Sequence, residues 1–352
     1  MTAPRQQGFI LVLALWVIAA VAFGAAMLGQ WASHALEQAA AIKALAEGER
    51  AMLSARADLI YELTTNFLSV RGLELPDEDS AKELRKQINS PFTATDVRGQ
   101  RTLRLDGRGY VYDDSLIMTV QDARGLLNLN LAPEGDISRL LQHFGVPPEH
   151  HQSLINRFLD YKEPGDLVRL GGAKRPQYVE AGRPPPSGQP LLTPWQARAI
   201  LGWDLYPSLW RDPGIANLTS SGLVVGLNIN TAPTELLGAI FDIPQEQMAR
   251  LGDARQTVSL QSGSDLLAYG ARAISPDPMR FLSFPADTFI VTFLNRKVPR
   301  KTVMAIALTP SDMTQPYRID YTLELAFGTR DGDRIRNTTT RFPAPVAGAA
   351  AR

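Results

Sequence analysis

Cysteine is absent from the chain. That excludes disulfides, thiol catalysis, cysteine-ligated zinc and iron–sulfur clusters. It leaves the redox compartment open, because an oxidising space permits disulfides without requiring them. Histidine is scarce, with only His34, His143, His150 and His151. His150 and His151 are neighbours that diverge on a helix, so they make poor co-ligands for a metal. No HExxH, GxSxG or phosphate-loop pattern occurs, and no nucleophile is marked out with a base, so a non-enzymatic role is expected. Net charge is missing as well: 36 cationic side chains balance 36 acidic ones. A strongly basic nucleic-acid scaffold is thereby excluded. Proline is absent between Pro4 and Pro76, and no charged residue stands between Phe9 and Gly29.

What is present begins with that uncharged run, FILVLALWVIAAVAFGAAMLG. At about 1.5 Å per residue it reaches roughly 30 Å, the thickness of a bilayer's hydrocarbon core. A cleaved signal peptide has a shorter apolar region, about 7–15 residues, and no small-x-small cleavage site is evident, so the run reads as a membrane span. Ala20 with Gly24 and Ala25 with Gly29 are small residues at the spacing that permits close helix contact. Arg5 precedes the span and Glu37 is the first formal charge after it, which orients the N-terminus to the cytoplasm. Beyond Gly29 the helical period persists. Leu36, Ala39, Ile42, Leu45, Leu53, Ile60, Leu63 and Phe67 read as one stripe of a helix that continues to about residue 68, with Gly48 as a place where it could bend.

The 352 residues leave ample chain for a further core, and 45% hydrophobic against 20% charged content argues against wholesale disorder. Strand patterns occur at 102–105, 110–112, 115–121 and 126–131, with Asp106-Gly107 and Asp113-Asp114 as turns. They recur at 288–294, 302–308, 318–327 and 334–342, with Asp331-Gly332 as a hairpin turn. Between these groups the sequence repeats itself. Asn128-Leu-Asn130-Leu-Ala-Pro133 returns as Asn228-Ile-Asn230-Thr-Ala-Pro233, and Phe144-Gly-Val-Pro147 returns as Phe241-Asp-Ile-Pro244. Each copy implies an extended stretch, a helix, a proline turn and a second helix. Asn230 or Thr231 is expected to cap the helix begun by Pro233, with Glu235 complementing its dipole. Residues 164–194, rich in proline and glycine, are expected to be mobile or loop-like, and the tail 343–352 disordered.

The leader, with a basic residue, then Gly8, Phe9 and about twenty apolar residues, resembles a type IV prepilin-like N-terminus. The resemblance implies cleavage after Gly8 by prepilin peptidase and N-methylation of Phe9. Such subunits commonly carry glutamate at the fifth mature position, where this chain has Leu13. A carboxylate there would neutralise the α-amino group of an adjoining subunit in an apolar bundle, so a chain with Leu13 cannot supply that partner to a subunit above it. That departure, with QDARGLLNLN, FLDYKEPG, NINTAPTELL and FPADTFIV, resembles the K-type minor pseudopilins of type II secretion (general secretion pathway protein K family) from residue 8 to about 325.

The implied fold is α+β: a long N-terminal membrane helix packed on a pilin-like antiparallel sheet, with a large inserted helical domain containing two helix-hairpin-helix-like (SAM-like) units. The implied division is a leader at 1–8, a span at 9–29, sheet-domain parts at 69–131 and 276–342, and the helical insertion at 132–275. The implied role is structural, at the tip of a secretion pseudopilus in the bacterial inner membrane, with the bulk periplasmic. Its implied partners are other minor pseudopilins, prepilin peptidase and the membrane. No cofactor is required, although family members can hold calcium in the DYKEPGD region, here Asp160, Glu163 and Asp166. Two cations, Lys174 and Arg175, stand where the family pattern has acids. A competing reading is a membrane-anchored helix-hairpin-helix receptor for DNA uptake. Its hairpins would need a glycine turn offering backbone N–H groups, whereas both turns here carry proline and acid, so nucleic acid is not expected as a partner.

Overall fold

A computed structural model describes residues 9–75, 101–272 and 280–343. Gly8 and the leader, the expected boundary at 275–276, and the tail from 344 onward lie outside the described residues. The first element, α1 (Phe9–Thr65), is one unbroken helix of 57 residues, about 85 Å long. Its span is the one helix among the described residues long and apolar enough to cross a membrane. From Leu11 to Lys43 every residue is exposed, and the helix enters the folded body only at about Ala44.

The buried face of α1 is Ala51, Ala55, Leu59 and Leu63, with Ile60 beside it. This differs from the stripe read off the sequence, since Leu36, Ile42, Leu53 and Phe67 all face outward. Small residues, Ala51 and Ala55, begin this contact, and Leu59 and Leu63 continue it. Gly48 follows the same logic. A Cβ there would sit 2.0 Å from the side-chain amide nitrogen of Asn295, so the position is a close approach of helix to sheet. Ion pairs flank it, Glu47 with Lys297 at 2.7 Å and Glu49 with Arg300. Deeper in, the Tyr112 hydroxyl donates to Asp58 at 2.7 Å.

After α1 come β1 (Phe67–Ser69), β2 (Gly72–Leu75) and β3 (Arg101–Leu103), which form a small antiparallel sheet. Next are β4 (Asp106–Val111) and β5 (Leu116–Asp122), then the short β6 (Leu127–Asn128). The helical region holds α2 (Glu134–His143), α3 (Pro148–Lys162), α4 (Arg175–Glu180), β7 (Thr219–Ser220), α5 (Thr234–Phe241) and α6 (Gln245–Thr257). The chain returns through β8 (Thr288–Asn295), β9 (Arg300–Leu308) and β10 (Tyr317–Leu325), ending in α7 (Thr329–Asn337). The main sheet has the order β10-β9-β8-β5-β4, antiparallel throughout. Its central pairing joins β5 to β8 across the whole helical region, and β5 is buried at every position. The α+β plan is therefore as expected.

Two local expectations are corrected. Asp106-Gly107 lies inside β4 at a register irregularity and is not a turn between strands. Residues 334–342 are not a strand with a hairpin at Asp331-Gly332; Thr329–Asn337 is helical. Asp331 decides this, because its carboxylate accepts the Gly328 N–H at 2.9 Å and also takes the buried Lys301 ammonium at 3.0 Å. A buried cation thus finds its partner at a helix start. Only a bridge between Val111 and Arg341 remains of the expected strand, and Phe342 then packs against Tyr110 and Tyr112.

Two large cores result, with a small third cluster of Ala123, Val224 and Ala286 at the junction between them. One combines the lower half of α1 with the sheets, around Leu59, Val120, Phe289 and Ile306. The other lies within 127–271, around Phe158, Trp203, Leu236 and Phe241.

Candidate functional site

The features available for assembly are the exposed half of α1 and the junction that fixes the helical region on the sheet. Leu13, Trp16, Phe23, Trp31, Leu36 and Ile42 are all solvent-exposed in the isolated chain. Apart from its chain neighbours and the helix's own backbone, no heavy atom lies within 4 Å of a Cβ placed at Gly24 or Gly29. An apolar surface of this length is stable only against lipid or other helices.

The junction is built on Asp122, at the end of β5. Its fully buried carboxylate accepts four hydrogen bonds: from the N–H groups of Arg124 (3.0 Å) and Ala286 (2.9 Å), the Asn228 amide (2.9 Å) and the Thr231 hydroxyl (2.7 Å). Burial pushes this carboxyl up from its ordinary value, and the four donors pull the other way. Arg124 completes the knot by donating to the carbonyls of Phe284 (2.7 Å) and Val225 (3.2 Å). Thus residues of QDARG, NINTAP and FPAD, far apart in sequence, meet at one point where the chain leaves and re-enters the sheet.

Above that point the duplication is real in three dimensions. In the first copy the Asn128 carboxamide accepts the Asn130 N–H at 3.0 Å, and Asn130 clasps the backbone of Leu191, accepting its N–H and donating to its C=O, both at 2.9 Å. In the second, Asn228 accepts from Asn230 at 3.0 Å, and Asn230 clasps Leu260 in the same two-way manner at 2.8 and 2.9 Å. The segment after each clasped leucine starts a 3-10 helix with a side chain reaching back. Gln196 accepts from Leu192 and Thr193, and Asp265 from Gln261 and Ser262. Each copy also closes on itself through a parallel pairing, Leu127 with Thr219 and Leu227 with Phe281. A cation late in the second helix donates to carbonyls of the asparagine loop, Lys162 to Asn130 and Arg255 to Ile229. Burial depresses both, Arg255 to about 10.

The asparagines therefore serve as clasps, and neither Asn230 nor Thr231 caps α5. Pro233 is its N-cap, without a side-chain hydrogen bond, while Glu235 does sit in the first turn. The clasped partners, Leu191 with Gln196 and Leu260 with Asp265, were not singled out from sequence. Their signal was available: Thr193-x-x-Gln196 and Ser262-x-x-Asp265 are capping-box patterns.

The hairpin turns spend their backbone donors internally. The N–H groups of Gly145 and Val146 go to Gln142 and Leu141, and that of Ile243 goes to Gly238. Pro147, Pro148 and Pro244 have none to give, so the turn residues themselves offer no cradle for a phosphate.

Of the calcium candidates, Asp160 and Glu163 are brought together, but by a guanidinium: Arg169 pairs with Asp160 at 2.8 Å and Glu163 at 2.6 Å. Asp166 is exposed in the loop outside this pairing. Among the described residues no group of three or more histidine, aspartate or glutamate side chains is placed to hold a metal. Nor is 164–194 merely loop: it contains α4, the buried Tyr178 whose hydroxyl accepts the Leu201 N–H at 2.9 Å, and an Arg183–Asp204 ion pair. His151 is buried with both ring nitrogens engaged, by Ser138 and the Val146 carbonyl at 2.8 Å each, while His150 meets Tyr206. A cleft of about 1050 Å³ between sheet and helical region is lined by equal numbers of acids and bases, Asp106, Arg108 and Lys301 among them, and by no histidine.

This arrangement defines a class: a long helix, half free and half packed on an antiparallel sheet, whose two central strands enclose a duplicated helical insertion. The same fold is found in a chain of the GspK-GspI-GspJ complex from the type 2 secretion system of enterotoxigenic Escherichia coli. That similarity has a TM-score of 0.50 at 15% identity and covers 82% of this chain and 98% of that one. No family model matches the chain, and no curated protein matches it.

Proposed function

We propose that the protein is a minor pseudopilin of K type, a structural subunit at the tip of a type II secretion pseudopilus. The observation that carries this reading is the division of α1. Its apolar first half is free along its whole circumference, while its second half is locked under a sheet that bears a bulky helical insertion. The free half would insert in the inner membrane, N-terminus toward the cytoplasm, and pack beside the helices of other minor pseudopilins. Prepilin peptidase would cut after Gly8 and Phe9 would be N-methylated. With Leu13 in place of a carboxylate, the subunit would accept no further subunit above it. The sheet-domain parts 69–131 and 276–342 would form the pilin-like frame and 132–275 the periplasmic cap. Its work is assembly and support of export rather than catalysis.

Mass spectrometry of the mature N-terminus, in cells with active prepilin peptidase, tests the reading. It predicts N-methylated Phe9; an intact Met1, or a cut far downstream of Gly8, overturns it. Leu36→Ser with Ile42→Ser should leave the unfolding of the folded body unchanged, because both side chains are exposed. The pair should reduce recovery of co-expressed minor pseudopilins in a pull-down.

A further inference from the structure

The loop from Glu163 to Lys174 joins α3 to α4, and it is where the resemblance to K-type subunits implies calcium. We propose that in this chain two of its own side chains, Arg169 and Lys174, are the cations of that loop, so that its closure needs no metal.

Of the loop's apolar side chains only the small Ala173 is buried. Leu167 and Leu170 are 91% and 94% exposed, pointing away on either side of Arg169. Order must come from polar anchors, and these converge on Asp160, whose side chain is fully buried. One carboxylate oxygen accepts from the Arg169 guanidinium at 2.8 Å; the other accepts the Arg169 and Ala173 N–H groups, both at 3.1 Å. A second guanidinium nitrogen reaches Glu163 at 2.6 Å, so the planar fork of Arg169 bridges two acids as a point charge could not. Glu163 first, and then Asp160, hold this guanidinium above its ordinary value. Lys174, only 4% exposed, donates to the Glu163 carbonyl at 2.6 Å.

Calcium takes six to eight oxygens at about 2.3–2.6 Å. Here both Asp160 oxygens, one Glu163 carboxylate oxygen and the Glu163 carbonyl already face N–H donors, and an ion placed among them would stand beside a guanidinium and an ammonium. Nor is there spare room: a Cβ at Gly172 would lie 2.0 Å from an Asp160 carboxylate oxygen. The donor set does not fit the ion. The second copy has no counterpart of the loop, since only residues 258–259 separate α6 from its clasped Leu260.

The test uses the full chain in detergent, followed by thermal unfolding and limited proteolysis with excess calcium chloride or with a chelator. The wild-type unfolding temperature should agree within about 1 °C between the two conditions, with no cleavage between Glu163 and Lys174 in either. Arg169→Met should lower it by roughly 5 °C or more and open the loop to protease, because Asp160 loses its buried partner, and calcium should not reverse this. Arg169→Lys, which keeps the charge, should give a smaller loss and serves where Arg169→Met does not fold. Calcium-dependent stabilisation of the wild type, loop cleavage only after chelation, an unchanged Arg169→Met, or its rescue by calcium would each overturn the proposal. None of these results depends on where in a filament the protein sits.

Discussion

The two copies within the helical region use one design to different ends. Both are closed by an asparagine that holds a leucine backbone, but the first closes a separation of 61 residues and the second one of 30. Most of the difference is the excursion 163–190, where the second copy has only residues 258–259. Their attachments differ too. Asn128 donates within its own surroundings, to the carbonyls of Gly222 and Val224, whereas Asn228 donates to Asp122 and so ties the second copy to the sheet. One copy carries an added surface; the other carries the attachment. A duplicated scaffold can divide labour in this way because the clasp satisfies buried backbone groups whatever chain length it spans.

The largest way to break this comparison is Asp122→Ala, which strands four donors at the attachment, three of them buried. It should cost about 4 kcal/mol in denaturant unfolding. Asp122→Asn should do little better, since its amide presents N–H groups to those donors. The clasps come next. Asn230→Ala, in buried surroundings, should cost about 3 kcal/mol, and Asn130→Ala, partly solvated, about 2 kcal/mol. Equal losses would mean that the copies share more than their backbone pattern.

Acid should act on the second copy's contact with β4. Burial works to raise Asp106, but the Arg108 guanidinium and N–H, with Arg104, hold it below the ordinary carboxylate range. Arg108 in turn reaches Gln256 of α6. A depressed carboxylate contributes stability that is present above its unfolded value and lost as pH falls through its folded one. Unfolding midpoints should therefore fall in that acidic window, and Asp106→Asn should flatten the decline. The smallest effects lie at the matched turns, where Gly145 has φ +75° and Asp242 takes φ +52° in the corresponding place. Gly145→Ala should cost about 1 kcal/mol, while Asp242→Gly should gain about 0.5 kcal/mol, both read from unfolding midpoints.

Much of the plan was legible in residues. Charge-free Phe9–Gly29 and the missing proline gave α1 to within about three residues of its end. Alternation placed the strands paired about β5 and β8, and two Asn-x-Asn segments disclosed the duplication. Period was misleading in part: the packed face of α1 holds Gly48, Ala51, Ala55 and Leu59 with the expected Ile60 and Leu63, while Leu53 faces outward and Phe67 lies in β1. It misled again at 334–342, where Asp331 and Lys301 prefer a helix start to a strand.

The sequence by itself determined α1 and most strands of the main sheet, because hydrophobic period, proline and charge act over a turn or two of chain. Which polar group answers which was decided only by the tertiary structure. Asp122 meets Asn228 and Thr231 across more than a hundred residues, and Asn130 finds Leu191 across 61. A buried donor or acceptor must be paired wherever the fold brings it, and no local pattern encodes that distance.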